Sequence, residues 1–545
     1  LAARADDDDT LILLGLALQM QGRPAEAVEH YRALSRRRPE EPAHWSNLGN
    51  ALREAGCGDE AMAAFLQGLL LAPKDPTLHY NLGLLAIDRA DYALAREHLL
   101  AAHQAEPQAL DVALYAARAC YECGDQANLE QLLAMCAAEV PADPELRLEL
   151  GWLLAQSGRS ENAERLLADC ERELPDPLRA RAQRVLLLER VNRLDEARQL
   201  AATLPAAETL PAPQRALVLN ARAALARRAG DLVQARRHFE QMLALPQSAT
   251  EQANLQFGLA QVLDKLDERA AAMEALARAH ACQQALAAAL VPELAAPERE
   301  PLTSALDRVS AADYAAWPEL DAPDRAHSPI FVVGFPRSGT TLLEQMLDAH
   351  PGLRSMDERA FVQDAADRME DAGLSYPGDL GRLDQAACDQ LRRLYWESVW
   401  RVAPMIPGQQ RLVDKNPLNL LRLPMIRRLF PHAPIVLALR HPCDVLLSCY
   451  MQSFRSPAFA LLCASLDRLA RGYANAMRFW LHHARTLRVE ALELRYEDLV
   501  EQFAPSVERL AAYLGLDDAA PLHRFAEHAR GKGYISTPSY SQVIE

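Results

Sequence analysis

A period of 34 residues runs through the first third of the chain and restricts its fold more than any other feature. Five prolines close successive units at that interval: Pro39, Pro73, Pro107, Pro141 and Pro175. Small residues recur at a second position, and large apolar residues recur sixteen positions later: Gly15, Gly49, Gly83, Ala117 and Gly151, then Tyr31, Phe65, Leu99, Leu133 and Leu167. This pattern predicts two antiparallel helices per unit. Small residues allow close approach, large ones fill the space between units, and proline ends the second helix.

The repeated segments resemble tetratricopeptide repeats, most clearly where Asn47-Leu48-Gly49 is followed by Ala61, Phe65 and Pro73. Weaker matches extend the array to seven or eight units ending near Leu290. The resemblance implies an α-helical superhelix over residues 1–290 with a concave groove. We expect that groove to bind a protein or peptide segment; the alternative is that the array mediates oligomerisation or acts as a rigid spacer.

Net charge and cysteine usage limit the partners and the compartment. The chain of 545 residues has 58 Lys and Arg against 74 Asp and Glu, and from Ala326 onward the two classes balance at 25 each. A net charge of −16 argues against non-specific binding to nucleic acid or to anionic membranes. No apolar run approaches the roughly 20 residues of a spanning helix. Ten scattered cysteines are typical of reduced thiols, so we expect a cytoplasmic protein.

A proline-rich stretch separates the repeats from the rest of the chain. Periodicity stops after Leu290, and six prolines fall between positions 291 and 329. Because proline interrupts helices, this composition predicts a linker over 291–327 and a second domain over 328–545.

The second domain opens with a strand, a tight loop and a helix, since residues 329–343 read PIFVVGFPRSGTTLL. The loop amides and the helix N-terminus predict an anion site. Arg337 and the side chains that follow it can complete the site: Ser338, Thr340 and Thr341, with Gly339 between them. Nucleotide-hydrolase loops place Lys where this chain has Thr340, which disfavours a phosphate-loop kinase.

A second strand-to-helix segment covers residues 435–448 and reads IVLALRHPCDVLLS. Arg440 lies at the carboxyl end of the predicted strand, where open parallel sheets bind ligands. Ser448 follows about two turns into the next helix. We therefore expect Arg440 and Ser448 to bind a second phosphate group.

Together, FPRSGTT and LRHPCDVLLS resemble the 5′-phosphosulfate and 3′-phosphate motifs of sulfotransferases. The tandem with the repeats resembles bacterial tetratricopeptide sulfotransferases, which are similar to protein-tyrosine sulfotransferases. The resemblance implies an α/β domain with a phosphate-loop-like motif and a mainly parallel sheet. It also implies 3′-phosphoadenosine 5′-phosphosulfate as co-substrate, no metal ion, and Tyr496 of the segment LRYEDL close to the nucleotide.

The resemblance also places catalytic residues. The segment RSMDE at 354–358 is similar to one whose carboxylate takes the acceptor proton, and it assigns that role to Glu358, with Asp357 in reserve. Lys415, in VDKNP, aligns with a lysine that neutralises the departing oxygen, a task that Arg337 shares.

The similarity to tyrosine-directed enzymes makes a protein or peptide tyrosine the expected acceptor. A carbohydrate, lipid or small phenol is the alternative, as is a repeat scaffold whose second domain binds nucleotide without turnover. The chain stops at Glu545, where the family continues into a segment that closes over the nucleotide, so we expect a truncated C terminus.

Overall fold

The computed structural model describes residues 8–356, 358–403, 405 and 409–527, and the chain divides into two compact units. The first contains Leu1–Ala295 and Ser453–Ala460, and the second contains Ala296–Gln452 and Leu461–Glu545. Among the described residues, no helix has the length and hydrophobicity that crossing a bilayer requires.

Eight consecutive pairs of helices make up the described part of Leu1–Ala295. They are α1 (Asp8–Met20), α2 (Pro24–Arg37), α3 (Pro42–Glu54), α4 (Gly58–Leu71), α5 (Pro76–Asp88), α6 (Tyr92–Ala105), α7 (Leu110–Cys123), α8 (Gln126–Ala138), α9 (Pro144–Gln156), α10 (Ser160–Glu173), α11 (Leu178–Arg190), α12 (Leu194–Ala201), α13 (Ala212–Arg228), α14 (Leu232–Leu243), α15 (Ala249–Lys265) and α16 (Arg269–Leu290). The fold class predicted from the period is confirmed.

The small and large residues of the period contact each other inside one helix pair. A Cβ atom added to Gly49 of α3 would lie 2.4 Å from the ring of Phe65 in α4, and one on Gly83 of α5 would lie 2.5 Å from Leu99 in α6. The large residue therefore fills the space between the two helices of its own unit, whereas the sequence had suggested the space between units. The missing side chain of the glycine makes that room available and lets the two helices approach closely.

The helix ends follow the local chemistry of the repeat. The periodic prolines come two or three residues after the last residue of α2, α4, α6, α8 and α10. Asp91 and Asp125 occupy equivalent positions one period apart, and their side chains accept hydrogen bonds from the amides of Leu94 and Asn128. These N-caps satisfy donors that the first helical turn leaves unpaired.

Residues 453–460 belong to the first unit although they come late in the sequence. The guanidinium carbon of Arg455 lies 3.6 Å above the ring of Tyr121, and its Nη1 donates to the carbonyl of Tyr121 at 3.1 Å. Gly124 has a φ of +70°, and a Cβ there would lie 2.5 Å from the carbonyl oxygen of Arg455. Gln283 Nε2 donates to Ser453 Oγ at 2.8 Å. A glycine at 124 thus leaves room for this segment beside α7.

The second unit is built on a five-stranded sheet in which every neighbouring pair is parallel, in the order β2-β3-β1-β4-β5. The strands are β1 (Ile330–Gly334), β2 (Leu353–Met356), β3 (Arg411–Lys415), β4 (Ile435–Leu439) and β5 (Ala491–Arg495). The helices that follow α16 are α17 (Ala311–Ala315), α18 (Thr340–Asp348), α19 (Phe361–Asp371), α20 (Gln385–Val402), α21 (Leu423–Leu429), α22 (Pro442–Tyr450), α23 (Pro457–Leu462), α24 (Leu466–Thr486), α25 (Tyr496–Glu501), α26 (Phe503–Leu514) and α27 (Ala520–His523). All five residues of the central β1 are buried, as expected of a strand covered on both faces.

The stretch predicted as a linker has structure and buried contacts of its own. Residues 296–327 lie in the second unit, and they include α17. Ala305 is buried, and the amide of Val309 donates to His483 Nε2 in α24 at 3.1 Å. Prolines limit helix length here without preventing the chain from packing.

Candidate functional site

The predicted site residues lie at the carboxyl ends of the five parallel strands. Arg337 follows β1, Glu358 follows β2, Lys415 ends β3, Arg440 follows β4 and Tyr496 follows β5. Because the strands are parallel, these ends form one edge of the sheet, and open α/β sheets bind their ligands there.

The loop after β1 has an unusual backbone. Gly339, directly before α18, has a φ of +95°, and Arg337 has a φ of +72°, which non-glycine residues rarely adopt. Ser338 Oγ donates to the carbonyl of Phe335 at 2.6 Å, so its hydroxyl supports the turn of the loop itself. Thr340 and Thr341 are buried in the first turn of α18. The result is a tight loop that leads into a helix N-terminus, a geometry suited to an anion.

Hydrogen bonds join the loop after β1 to α22, which carries the second predicted phosphate motif. Arg337 Nε donates to Ser448 Oγ of α22 at 2.9 Å, and Cys449 Sγ donates to the carbonyl of Pro336 at 3.4 Å. Burial lowers the pKa of the Arg337 guanidinium, because low-dielectric surroundings disfavour the charged form. An anion bound beside it would offset that cost.

Arg440 and Tyr496 lie next to each other at the carboxyl ends of β4 and β5. The guanidinium carbon of Arg440 lies 4.7 Å from the centre of the Tyr496 ring, and a Cβ added to Gly339 would lie 2.8 Å from Tyr496 Cδ2. Arg440 Nη2 is 3.7 Å from Asp444 Oδ2, while its buried Nε has no hydrogen-bond partner within the described part of the chain. The aromatic ring therefore lies between the loop and the second arginine.

Lys415 lies at the centre of a buried charge cluster. Its side chain is fully buried, and its Nζ lies 2.8 Å from Glu358 Oε1 and 3.0 Å from Glu344 Oε2. Burial alone would lower the pKa of Lys415, but the carboxylates of Glu344 and Glu358 outweigh it and raise the pKa above its ordinary value. The side chain of Glu358 is 47% exposed and that of Glu344 only 3%. Of the two carboxylates, Glu358 is the one that a substrate can reach.

Sequence reasoning missed Glu344. It lies in α18, where Ser355 Oγ of β2 donates to its Oε1 at 2.6 Å. The available signal was an acidic side chain within a helix whose neighbours, such as Leu343 and Met346, are buried apolar residues. Buried carboxylates are rare unless paired, so that position predicts a cationic partner, although it does not identify Lys415.

Asp414 was also missed as a structural element of the site. It is fully buried next to Lys415, and it accepts hydrogen bonds from Tyr395 Oη at 2.7 Å and Asn419 Nδ2 at 3.1 Å. Burial raises its pKa to about 7, against the opposing effect of these hydrogen bonds. Asp414 therefore changes its charge near neutral pH within the same cluster.

Asp357, the reserve candidate for the proton acceptor, lies outside the described residues. In the described ranges, no group of three or more His, Cys, Asp or Glu side chains has the arrangement of a metal site.

Comparisons with known proteins match both parts of the chain. Residues 329–520 match the model of the Sulfotransferase family, and residues 12–77 match the model of the Tetratricopeptide repeat.

Two similar proteins each match about a third of this chain. The nodulation protein NoeE of Sinorhizobium fredii is 28% identical over 218 residues, which cover 35% of this chain and 50% of that protein. A putative protein-tyrosine sulfotransferase of Caenorhabditis briggsae is 25% identical over 187 residues, which cover 34% of this chain and 65% of that protein. The chain thus spans less than two thirds of either relative. The sulfotransferase domain of the Synechococcus PCC 7002 olefin synthase is 25% identical, covers 42% of this chain and 86% of that structure, and has a TM-score of 0.28.

Proposed function

We propose that this chain, in which a sulfotransferase-family domain at residues 329–520 follows tetratricopeptide repeats, moves a sulfuryl group from 3′-phosphoadenosine 5′-phosphosulfate to a hydroxyl acceptor. The observation that carries this proposal is the hydrogen bond between Arg337 and Ser448, which joins the two phosphate motifs at one sheet edge. A donor with phosphate groups at both ends of its nucleoside suits that edge, whereas ATP has no 3′-phosphate to bind there.

The donor would bind across the strand ends. Arg337, the loop amides and the hydroxyls of Thr340 and Thr341 would bind the 5′-phosphosulfate, with Ser338 and Gly339 shaping the loop. Arg440 and Ser448 would bind the 3′-phosphate, and Tyr496 would contact the nucleoside. The partnerless buried Nε of Arg440, within the described residues, supports a ligand anion at that position.

Transfer would be an in-line displacement at sulfur. The acceptor oxygen forms a bond to sulfur while the bond from sulfur to the bridging phosphate oxygen breaks, which yields a sulfate ester and adenosine 3′,5′-bisphosphate. Glu358 takes the acceptor proton, and Lys415 and Arg337 stabilise the charge that grows on the departing oxygen. The half-exposed carboxylate of Glu358 beside buried Lys415 supports this division of roles. The proposed step uses no metal ion, since two side-chain cations already serve the departing oxygen.

We propose a protein or peptide tyrosine as the acceptor. The similarity to the Caenorhabditis briggsae protein supports this choice. A carbohydrate or small-molecule hydroxyl is the alternative acceptor, and a nucleotide-binding domain without turnover is the alternative to an enzyme.

Thermal unfolding tests the donor site. Adenosine 3′,5′-bisphosphate at 100 times its Kd should stabilise the folded chain by about 2.7 kcal/mol, and ATP with magnesium should stabilise it far less. The R440A variant should lose this response, and R393A, which removes an exposed arginine of α20, should keep it. Stabilisation by ATP and magnesium alone would contradict the proposed donor.

A labelled-donor assay tests transfer and acceptor together. Wild-type protein is incubated with 35S-labelled donor and a library of tyrosine peptides, simple phenols or monosaccharides. E358Q should bind the bisphosphate as wild type does while its transfer rate falls about 10²- to 10⁴-fold. Label on phenols or sugars but not on peptides would reject the tyrosine acceptor. Bisphosphate binding without transfer to any class would favour the inactive scaffold.

The repeats are proposed to bind a protein or peptide segment. The support is that the first unit already binds a separate segment of its own chain, residues 453–460, through Arg455 and Tyr121. In the full-length R455A variant this surface should become available, so a labelled peptide with the sequence of residues 450–460 should bind R455A more tightly than wild type. Equal affinity for both would count against a peptide-binding surface at Tyr121.

A further inference from the structure

Glu344 is a buried carboxylate of α18 that contacts residues of β2 and β3. It projects from α18, the helix that follows the phosphate loop, and it is 2% exposed. Its Oε2 lies 3.0 Å from Lys415 Nζ at the end of β3, and its Oε1 accepts a hydrogen bond from Ser355 Oγ of β2 at 2.6 Å. One buried carboxylate therefore connects the phosphate-loop helix to two neighbouring strands.

The proposed reaction changes the charge of only one of the two carboxylates next to Lys415. When Glu358 takes the acceptor proton it becomes neutral, and its attraction for Lys415 weakens at the moment when the ammonium has to meet a new negative charge. Glu344 is nearly inaccessible to a substrate, so it does not take the acceptor proton, and its contacts with the ammonium of Lys415 and the hydroxyl of Ser355 favour its anionic form. A fully buried ammonium needs such a permanent partner, because an unpaired buried charge is costly.

We propose that Glu344 is a positioning residue that holds Lys415 in place, and in its charged form, while Glu358 accepts the acceptor proton. This inference rests on the proposed sulfuryl transfer for its function, but the contact between Glu344 and Lys415 is tested without it. Glu344 does not touch the reacting atoms, and it acts only through Lys415.

The charges around Lys415 determine what removing Glu344 does. Glu344 approaches from α18 and Glu358 from the segment after β2, Asp414 precedes Lys415 in β3, and Arg337 lies in the loop after β1. The raised pKa of Asp414, about 7, lies far below the pH range in which Lys415 loses its proton, so Asp414 is an anion there. Removing the charge of Glu344 then leaves Glu358 and Asp414 as the anions near Lys415, and the ammonium should lose its proton at lower pH.

The first measurement is the titration of Lys415 by nuclear magnetic resonance. The chain has only four lysines, so ε-13C-lysine labelling gives few signals, and K415R identifies the signal that disappears. The E344Q variant should lower the midpoint of Lys415 by about one pH unit or more. The matched control E370Q, an exposed glutamate of α19, should leave it unchanged. An unchanged midpoint in E344Q overturns the proposal whether or not the chain transfers sulfuryl groups.

The second measurement separates positioning from binding. In E344Q, kcat should fall about tenfold or more, with the acceptor KM and the Kd of adenosine 3′,5′-bisphosphate within about threefold of wild type. The high-pH limb of the kcat profile should move down with the Lys415 midpoint, and E344D should restore part of both. A purely structural role would lower the unfolding temperature without moving that limb.

A milder variant covers the case in which E344Q does not fold. S355A removes only the hydrogen bond to Glu344 Oε1, so the fold and the charge should survive. We expect a smaller fall in kcat and a smaller shift of the Lys415 midpoint than in E344Q. Wild-type values for both quantities in S355A would overturn the proposal. If the wild-type protein does not bind adenosine 3′,5′-bisphosphate, the proposed function is rejected. The titration of Lys415 then remains the test of the role of Glu344.

Discussion

The repeat unit and the sheet unit bury different kinds of contact. In the repeats, one pairing recurs, with a glycine of one helix against a large apolar side chain of its partner, as in Gly49 with Phe65 and Gly83 with Leu99. In the sheet unit, the fully buried Lys415 lies between the buried Glu344 and the half-exposed Glu358. The first region thus repeats one kind of contact from unit to unit, whereas the second places a buried ion pair at the carboxyl end of one strand.

Removing the charge of Lys415 should give the largest effect. The K415M variant leaves Glu344 as a buried carboxylate without its cation, which should lower the free energy of unfolding by about 3–5 kcal/mol. Urea denaturation of the full chain measures it. The double variant K415M/E344Q should recover a large part of the loss, because no unpaired charge then stays buried. A double variant as unstable as K415M would show that the charge is not the cause.

Two buried titratable groups of the sheet unit should have opposite effects on stability with pH. Burial lowers the pKa of His483 to about 4, from an ordinary value of 6.5; its Nε2 accepts from the amide of Val309 and its Nδ1 donates to the carbonyl of Phe479. As pH falls from about 6.5 to 4, His483 binds a proton in the unfolded chain but stays neutral in the folded chain, so the free energy of unfolding decreases. Asp414, whose pKa is raised to about 7, does the reverse, because stability is lost as pH rises from about 4 to 7.

The D414N variant should make the effect of His483 visible. Its free energy of unfolding should rise by about 3 kcal/mol between pH 4 and 6.5, while the wild-type curve stays much flatter. Urea denaturation at a series of pH values provides the measurement. Parallel curves for the two proteins would mean that Asp414 does not hold its proton in the folded chain.

A methyl group at Gly49 should have a smaller and more local effect. The added Cβ would lie 2.4 Å from the Phe65 ring, and such overpacking costs about 1–3 kcal/mol. The chain offers its own remedy, because the fourth unit has Ala117 and Leu133 at the same repeat positions, both buried. The double variant G49A/F65L should therefore recover most of the loss in thermal unfolding. If it does not, the repeats are less interchangeable than their common contact suggests.

The smallest predicted effect concerns the helix caps. Asp91 caps α6, and D91A should cost about 1 kcal/mol. Cys57, one period earlier, provides no side-chain cap to α4, so C57D should stabilise by a similar amount. Hydrogen exchange of the first amides of α4 and α6 measures both. A loss of stability in D91A and an equal gain in C57D would show that the two N-cap positions are equivalent. No gain in C57D would show that they are not.

The repeats were predictable because their contacts lie within one period. Five prolines and the step from Gly49 to Phe65 indicate the helix pairs, and the interpreted end of the array near Leu290 is where α16 ends. In the site, the sequence predicted only the residues that lie within recognisable motifs. That Glu344 meets Lys415 depends on β3 pairing with both β1 and β2, and no local pattern determines this order.

The place of residues 453–460 has a consequence for how the protein is made. A ribosome completes the repeats well before it reaches Ser453, so the first unit remains without one of its own segments until that point. Until then Tyr121 lacks the arginine that covers its ring. The first unit can reach its final form only after residues 453–460 have been translated, although its repeats emerge from the ribosome before the sheet unit.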